Sequence, residues 1–170
     1  MIWAADISGA GAKRRNVGIA EFVVSDDVEE TLVTCSLGSC VGVVLYDPQL
    51  HLAGLVHCML PLSQMNRARA LENPGVFTDT GVATLMQEMF NRGSRRERIV
   101  AKVAGAASAL DDGGLFRIGE RNYAVLRRIL WKNGVLIAAE DVGGTETRTL
   151  SVEVGTGRVL VRSGSLSMEL

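Results

Sequence analysis

Two apolar runs set head to tail constrain this chain more than any other feature. Val41 to Tyr46 reads VGVVLY and Leu52 to Leu60 reads LAGLVHCML, with Asp47-Pro48 between them. The first run is rich in β-branched residues and Asp-Pro starts turns, so the pair is expected to form a β-hairpin. With Asp47-Pro48-Gln49-Leu50 as the turn and Pro48 in its second position, Asp47 faces Leu50. Counting back along both strands then sets Cys40 opposite His57, their Cβ atoms about 4.5–5.5 Å apart on one face. A one-residue slip would put Cys58 opposite Cys40 and turn His57 to the other face.

Packing alone is the first explanation for such residues, since free cysteine is among the most buried residue types. An imidazole inside GLVHCMLP, however, carries a desolvation cost unless it has a partner. The turn arithmetic supplies that partner in Cys40. Leu37-Gly38-Ser39, just before it, is a flexible corner whose N–H groups could converge on one spot. A thiol paired with histidine at such a corner is expected to be activated as the thiolate, which makes Cys40 a candidate nucleophile.

Zinc is the rival chemistry, because Cys35, Cys40, His57 and Cys58 offer four ligand types close in sequence. His57 and Cys58 are neighbours on one strand and so point to opposite faces. Cys35 and Cys40 also lack the usual zinc spacing. Cys35 and Cys58 are therefore read as buried space-fillers, and no metal or other cofactor is expected.

Elsewhere the chain divides into short elements. Residues 1–16 read as a polar, Gly/Ala-containing tail expected to be disordered, and 17–170 as one domain. Val17 to Ser25 and Val28 to Cys35 are expected strands, and Pro61 to Phe77 reads as a loop. Val82, Leu85, Met86, Met89 and Phe90 fall at helical spacing, with Thr78 or Asp79 as cap and Gly93 as stop. Ile99 to Val103 reads as a strand and Asp111 to Gly114 as a turn. Arg121 to Lys132 is a second helix with Tyr123, Leu126, Ile129 and Leu130 inward. Val135 to Ala139 is a strand, and Thr149 to Val154 with Arg158 to Arg162 a hairpin. The small-residue run after Val103 lacks the GxGxxG pattern and the lysine of a phosphate loop, so nucleotide binding is rejected. Two helices among many strands indicate an α+β fold, a layered β-sandwich with two helices packed on one side.

Charge and composition bound the function. Eighteen Lys and Arg against nineteen Asp and Glu leave a net charge of −1, which gives no general attraction to nucleic acid. No apolar run reaches the length of a membrane span, so no direct membrane insertion is expected. The first sixteen residues carry their basic side chains after the apolar ones and do not read as a secretory signal. Three cysteines without extracellular marks suggest a reducing, cytoplasmic setting.

The motifs LGSCV, Tyr46-Asp47-Pro48 and GLVHCMLP together resemble CheD, the bacterial chemotaxis family that deamidates glutamines on chemoreceptors. The resemblance continues through Gly75, Asp79, Lys102, Gly105, IGERN at Ile118 to Asn122, AEDVGG at Ala139 to Gly144, Arg148 and the closing TGRVLVR. It implies a β-sandwich with helices on one side. It also implies Cys40 as nucleophile, His57 as base and Thr34 as third member, with methyl-accepting chemoreceptors as substrates.

Under that resemblance the reaction is acyl transfer from a glutamine side chain through a Cys40 thioester, and glutamate methyl esters fit the same machinery. The Cys40 N–H, with Gly38 or Ser39, is the candidate oxyanion support. The residues by themselves leave cysteine protease and transglutaminase chemistry open. The resemblance implies a second role of another class, as a non-catalytic adaptor binding a CheC-type phosphatase. The run Ala104 to Ala109 departs from the Gly-Gly-Ala and large apolar residue common in that family.

Overall fold

The computed structural model describes residues 13–108 and 116–170. The first twelve residues of the expected tail and the expected turn at Asp111 to Gly114 lie outside them. Among the described residues the chain runs β1 (Lys13–Asn16), β2 (Phe22–Ser25), β3 (Glu30–Leu37), β4 (Val41–Asp47) and β5 (Leu52–Cys58). Then come the helices α1 (Arg67–Glu72) and α2 (Thr78–Asn91), β6 (Val100–Gly105) and α3 (Ile118–Lys132). The chain closes with β7 (Ile137–Val142), β8 (Arg148–Glu153), β9 (Val159–Ser163) and β10 (Leu166–Glu169).

The strands form two five-stranded sheets, ordered β1-β3-β8-β9-β10 and β2-β5-β4-β6-β7. Leu32, Leu37, Leu150 and Val152 of the first sheet meet Val44, Ala53, Leu55 and Ala104 of the second. The second sheet's other face carries Val43, Leu45 and Val56, packed under Leu85 and Met89 of α2 and Leu126 and Leu130 of α3. The order of layers is therefore sheet, sheet, helices, an α+β sandwich with its helices on one side. Strands β4 and β5 lie in the middle layer, and every residue in them is buried. A strand covered on both faces must be apolar throughout, which is why these two segments read as continuous runs.

Several boundaries differ from the sequence reading. Lys13–Asn16, placed in the tail, form a strand parallel to β3. The expected strand over Val17 to Ser25 is regular only from Phe22, because Ala20 takes a left-handed conformation, φ 62°. Pro61 to Phe77 is not a plain loop. It holds α1, whose first turn is capped by Asn66 accepting from Arg69 N at 3.0 Å. Helix α2 starts after Phe77 with no side-chain cap. Asp79 instead turns back, taking Ser63 N at 2.9 Å and Ser63 Oγ at 2.7 Å.

The central hairpin is also closed differently. Asp47 pairs with Leu52 rather than Leu50, and four residues make the turn. Gln49 N donates to Asp47 Oδ1 at 3.0 Å, and His51 is left-handed at φ 47°. The Asp47 carboxylate is buried and held from outside the hairpin, by Ser94 Oγ at 2.6 Å and Arg98 Nη2 at 2.8 Å. That ion pair ties the turn to the segment after α2 and sets the wider loop.

Candidate active site

The wider turn moves the register by two residues, so Gly42 and not Cys40 lies opposite His57. An even shift preserves the face, because side chains alternate with period two. His57 accordingly points into the space between the sheets. Cys40 packs against that same inter-sheet core. Gly42 has no room for a side chain, since a Cβ there would sit 2.7 Å from Leu37 Cδ1. Cys58 points the other way, among the side chains under the helices.

His57 is completely buried. Its backbone is clamped by the segment before β2, with Ala20 N donating to His57 O at 2.9 Å and His57 N to Glu21 O at 3.0 Å. Its Nδ1 lies 2.7 Å from Thr34 Oγ1, across the gap between the sheets. Nε2 has no hydrogen-bond partner among the described residues. Burial disfavours the imidazolium and lowers the His57 pKa to about 4. The ring is therefore neutral at pH 7 and singly anchored.

Thr34 ends the regular part of β3. The register with β8 breaks between Thr34 and Leu37, and Ser36 is left-handed at φ 61°. The bulge turns the chain into the corner Gly38-Ser39-Cys40. Strand β6 holds this corner at its exit: Ala106 N donates to Cys40 O at 2.7 Å and Ala107 N to Gly38 O at 2.8 Å. Gly105, at φ 105°, is needed there, because a Cβ would collide with Cys40 O. A further rim is built by Arg148, whose guanidinium binds Asp141 at 2.8 and 3.0 Å and Gly143 O at 2.8 Å.

Cys40 itself is partly exposed, and Sγ makes no hydrogen bond to His57 in this state. Burial pushes its thiol up, while its own backbone N–H partly offsets that. The sequence reading expected a histidine-stabilised thiolate. The structure instead leaves a neutral thiol and a neutral imidazole, both on the inter-sheet side and without a hydrogen bond between them. The remaining cysteines stand apart. Cys35, read as a buried space-filler, is instead exposed, because it follows the inward-facing Thr34 on β3 and so lies on that strand's outer face. Cys58 is fully buried, its thiol pushed far up by burial. The four residues of the zinc reading are thus spread over both faces of one sheet and the surface of the other.

Asn122 has a place the sequence reading missed. It is fully buried on α3. Its amide donates to Ser39 O at 2.9 Å and Met59 O at 3.0 Å, and Thr78 Oγ1 donates to its Oδ1 at 3.1 Å. The signal was available in the sequence. Asn122, Leu126 and Leu130 fall at i, i+4 and i+8, so the helical period puts an amide on the inward stripe.

Comparison with known proteins covers the chain in two ways, a family model that begins after Thr34, Cys40 and His57 and relatives matched over nearly the whole length. A family model described as CheD chemotactic sensory transduction matches residues 59–163. The Solibacter usitatus protein named "Probable chemoreceptor glutamine deamidase CheD" is 45% identical over 154 residues, 91% of this chain and 91% of its own length. So little of the chain lies outside that match that it runs through Thr34, Cys40 and His57. A Syntrophus aciditrophicus protein of the same description is 44% identical over 86% of this chain and 92% of its own. One from Anaeromyxobacter dehalogenans is 45% identical over 87% and 93%. With a family model spanning more than half of it and relatives of this similarity over nearly its whole length, the chain belongs to the CheD family.

Proposed function

We propose that this chain hydrolyses the side-chain amide of glutamines on chemoreceptors, with Cys40 as nucleophile, His57 as general base and acid, and Thr34 orienting the imidazole. One observation carries the reading. A buried, neutral His57 is anchored by Thr34 at one nitrogen and left without a partner at the other, on the sheet face where the partly exposed Cys40 packs. Core packing alone gives no reason for a buried ring nitrogen left unpaired among the described residues, since buried polar atoms are nearly always paired.

The chemistry follows from the protonation states. With Nδ1–H donating to Thr34 Oγ1, Nε2 presents a lone pair. It takes the Cys40 proton as sulfur attacks the glutamine Cδ, and the carbonyl becomes an oxyanion. Because the imidazolium is disfavoured and the thiol raised, the ion pair does not stand preformed, and proton transfer accompanies attack. The Cys40 N–H, with that of Ser39, supports the oxyanion. Gly38 is no donor there, because its N–H is taken by Ser36 O at 3.0 Å where the bulge folds the chain back. The imidazolium then protonates the leaving nitrogen, the C–N bond breaks, and ammonia departs to leave a thioester. His57 next takes a proton from water, hydroxide adds to the thioester, and the C–S bond breaks as sulfur regains the proton. Glutamine and water become glutamate and ammonia. A glutamate methyl ester follows the same path with methanol leaving.

The test is mass spectrometry of a receptor cytoplasmic fragment incubated with the protein. Glutamine-containing peptides should gain about one dalton with the native chain and not with Cys40→Ala, because the thioester needs the sulfur. A receptor that remains unchanged with the native chain refutes the proposal. If a CheC-type phosphatase binds the same preparation, the adaptor role takes its place.

A further inference from the structure

We propose that Asn122 is a positioning residue that orients the oxyanion-binding N–H of Cys40. This rests on the reading of Cys40 as nucleophile and adds a residue whose side chain touches neither the thiol nor the imidazole in the hydrogen-bond network.

The peptide unit is planar and trans, so the C=O of one residue and the N–H of the next point in opposite directions. Asn122 Nδ2 takes the Ser39 carbonyl at 2.9 Å, which fixes the plane of the Ser39–Cys40 peptide. The Cys40 N–H is thereby turned away from α3. One peptide earlier, Ala107 N takes Gly38 O, and one later, Ala106 N takes Cys40 O. Three successive carbonyls are thus held by three separate donors. Neither the Ser39 nor the Cys40 N–H has an acceptor among the described residues. A corner whose carbonyls are all bound and whose intervening N–H groups are not is arranged as a donor site for developing negative charge.

The second Asn122 proton goes to Met59 O, two residues beyond His57. One amide therefore joins the strand ends that carry the nucleophile and the base. Its orientation is determined, because both strand partners are carbonyl acceptors and only the NH2 group can face them. Thr78 Oγ1 then donates to the remaining oxygen. The amide's contribution to the corner lies in these three bonds.

The experiment compares Asn122→Leu with native protein in kcat and KM on a receptor fragment, and in the rate at which iodoacetamide labels Cys40. Alkylation displaces iodide from a saturated carbon and forms no oxyanion, so it reads the thiol without the donor site. Losing the fixed N–H should lower kcat by about 10²–10³-fold, the size of one oxyanion donor. KM and Cys40 labelling should stay within about threefold. Leu126→Ala, on the same helix face, should lower the melting temperature without lowering kcat, which separates positioning from general loosening. If Asn122→Leu does not fold, Asn122→Ser, which keeps one donor, is read the same way, with a smaller kcat loss expected. An unchanged kcat, a loss carried by KM, or a parallel fall in Cys40 labelling overturns the inference. Cys40→Ala is run alongside. If that variant still deamidates, the nucleophile reading fails first; if it is inactive while the Asn122 variants keep their kcat, only the Asn122 inference fails.

Discussion

Replacing Thr34 by valine tests how the histidine is held. Valine has nearly the same shape, and Thr34 is buried within β3, so packing changes little. The change removes the 2.7 Å contact to Nδ1. His57 Nε2 already lacks a partner among the described residues, so the variant leaves a wholly buried imidazole without one on either nitrogen. An unsatisfied buried polar group costs about 1–3 kcal/mol. Urea unfolding followed by circular dichroism should therefore show a lower midpoint at unchanged slope, with stability reduced by that amount. The same energy also stops favouring the Nδ1–H tautomer that frees Nε2 to accept a proton. If all of it appears in the transition state, kcat falls about 5–150-fold, at roughly 1.4 kcal/mol per decade. Thr34→Ser restores the hydroxyl and should recover most of both losses. A valine variant with native stability and native kcat would refute the reasoning. So would a loss as deep as that of the nucleophile, or a serine variant no better than valine.

Cys40→Ala should fold with a small stability change and lose about 10⁴-fold or more in kcat, by analogy with other nucleophile deletions; His57→Ala should lose nearly as much, and the double variant little more. Without substrate, iodoacetamide should label exposed Cys35 first, Cys40 more slowly because burial raises its thiol, and Cys58 last; mass spectrometry of the labelled peptides checks the order. The folded His57 pKa of about 4 lies below its ordinary 6.5, so between these values the unfolded chain binds the extra proton. This contribution to stability is fully present above pH 6.5 and is lost as pH falls toward 4, by about 3 kcal/mol in all; unfolding midpoints across that range check it, and the acid limb of kcat/KM should fall below pH 5 rather than near 6.5. Asp47→Ala leaves the buried Ser94 hydroxyl without its acceptor and the partly exposed Arg98 without its counter-charge, and should cost about 1–3 kcal/mol in a thermal melt. Because the hairpin turn is remote from Cys40, the folded fraction of that variant should keep its kcat.

Part of the site was legible from residue spacing because some spacings are robust to error. The hairpin and the opposite facing of His57 and Cys58 follow from the period of two, which holds in any register. The register itself was misread by two residues. It survived as a prediction of the shared face only because two is even; a slip of one would have reversed it. The reason for the misreading lies outside the hairpin, where Ser94 and Arg98, 47 and 51 residues from Asp47, capture its carboxylate. Helix α2 was placed correctly by its apolar period, while its start was misjudged because Asp79 spends its oxygens on Ser63.

What the chain's order of residues determined by itself, then, is what depends on local periodicity. That covers the two apolar strands of the hairpin, the helices that cover them, and the opposite sides of the sheet on which His57 and Cys58 fall. Tertiary structure alone decided the rest. Thr34 meets His57 across two sheets, and Asn122 reaches Ser39 across 83 residues. The neutral state of the thiol and the imidazole comes from burial that no single segment creates. Those contacts depend on how layers stack and where bulges fall, and the free energy of a buried polar group is set by every element packed around it.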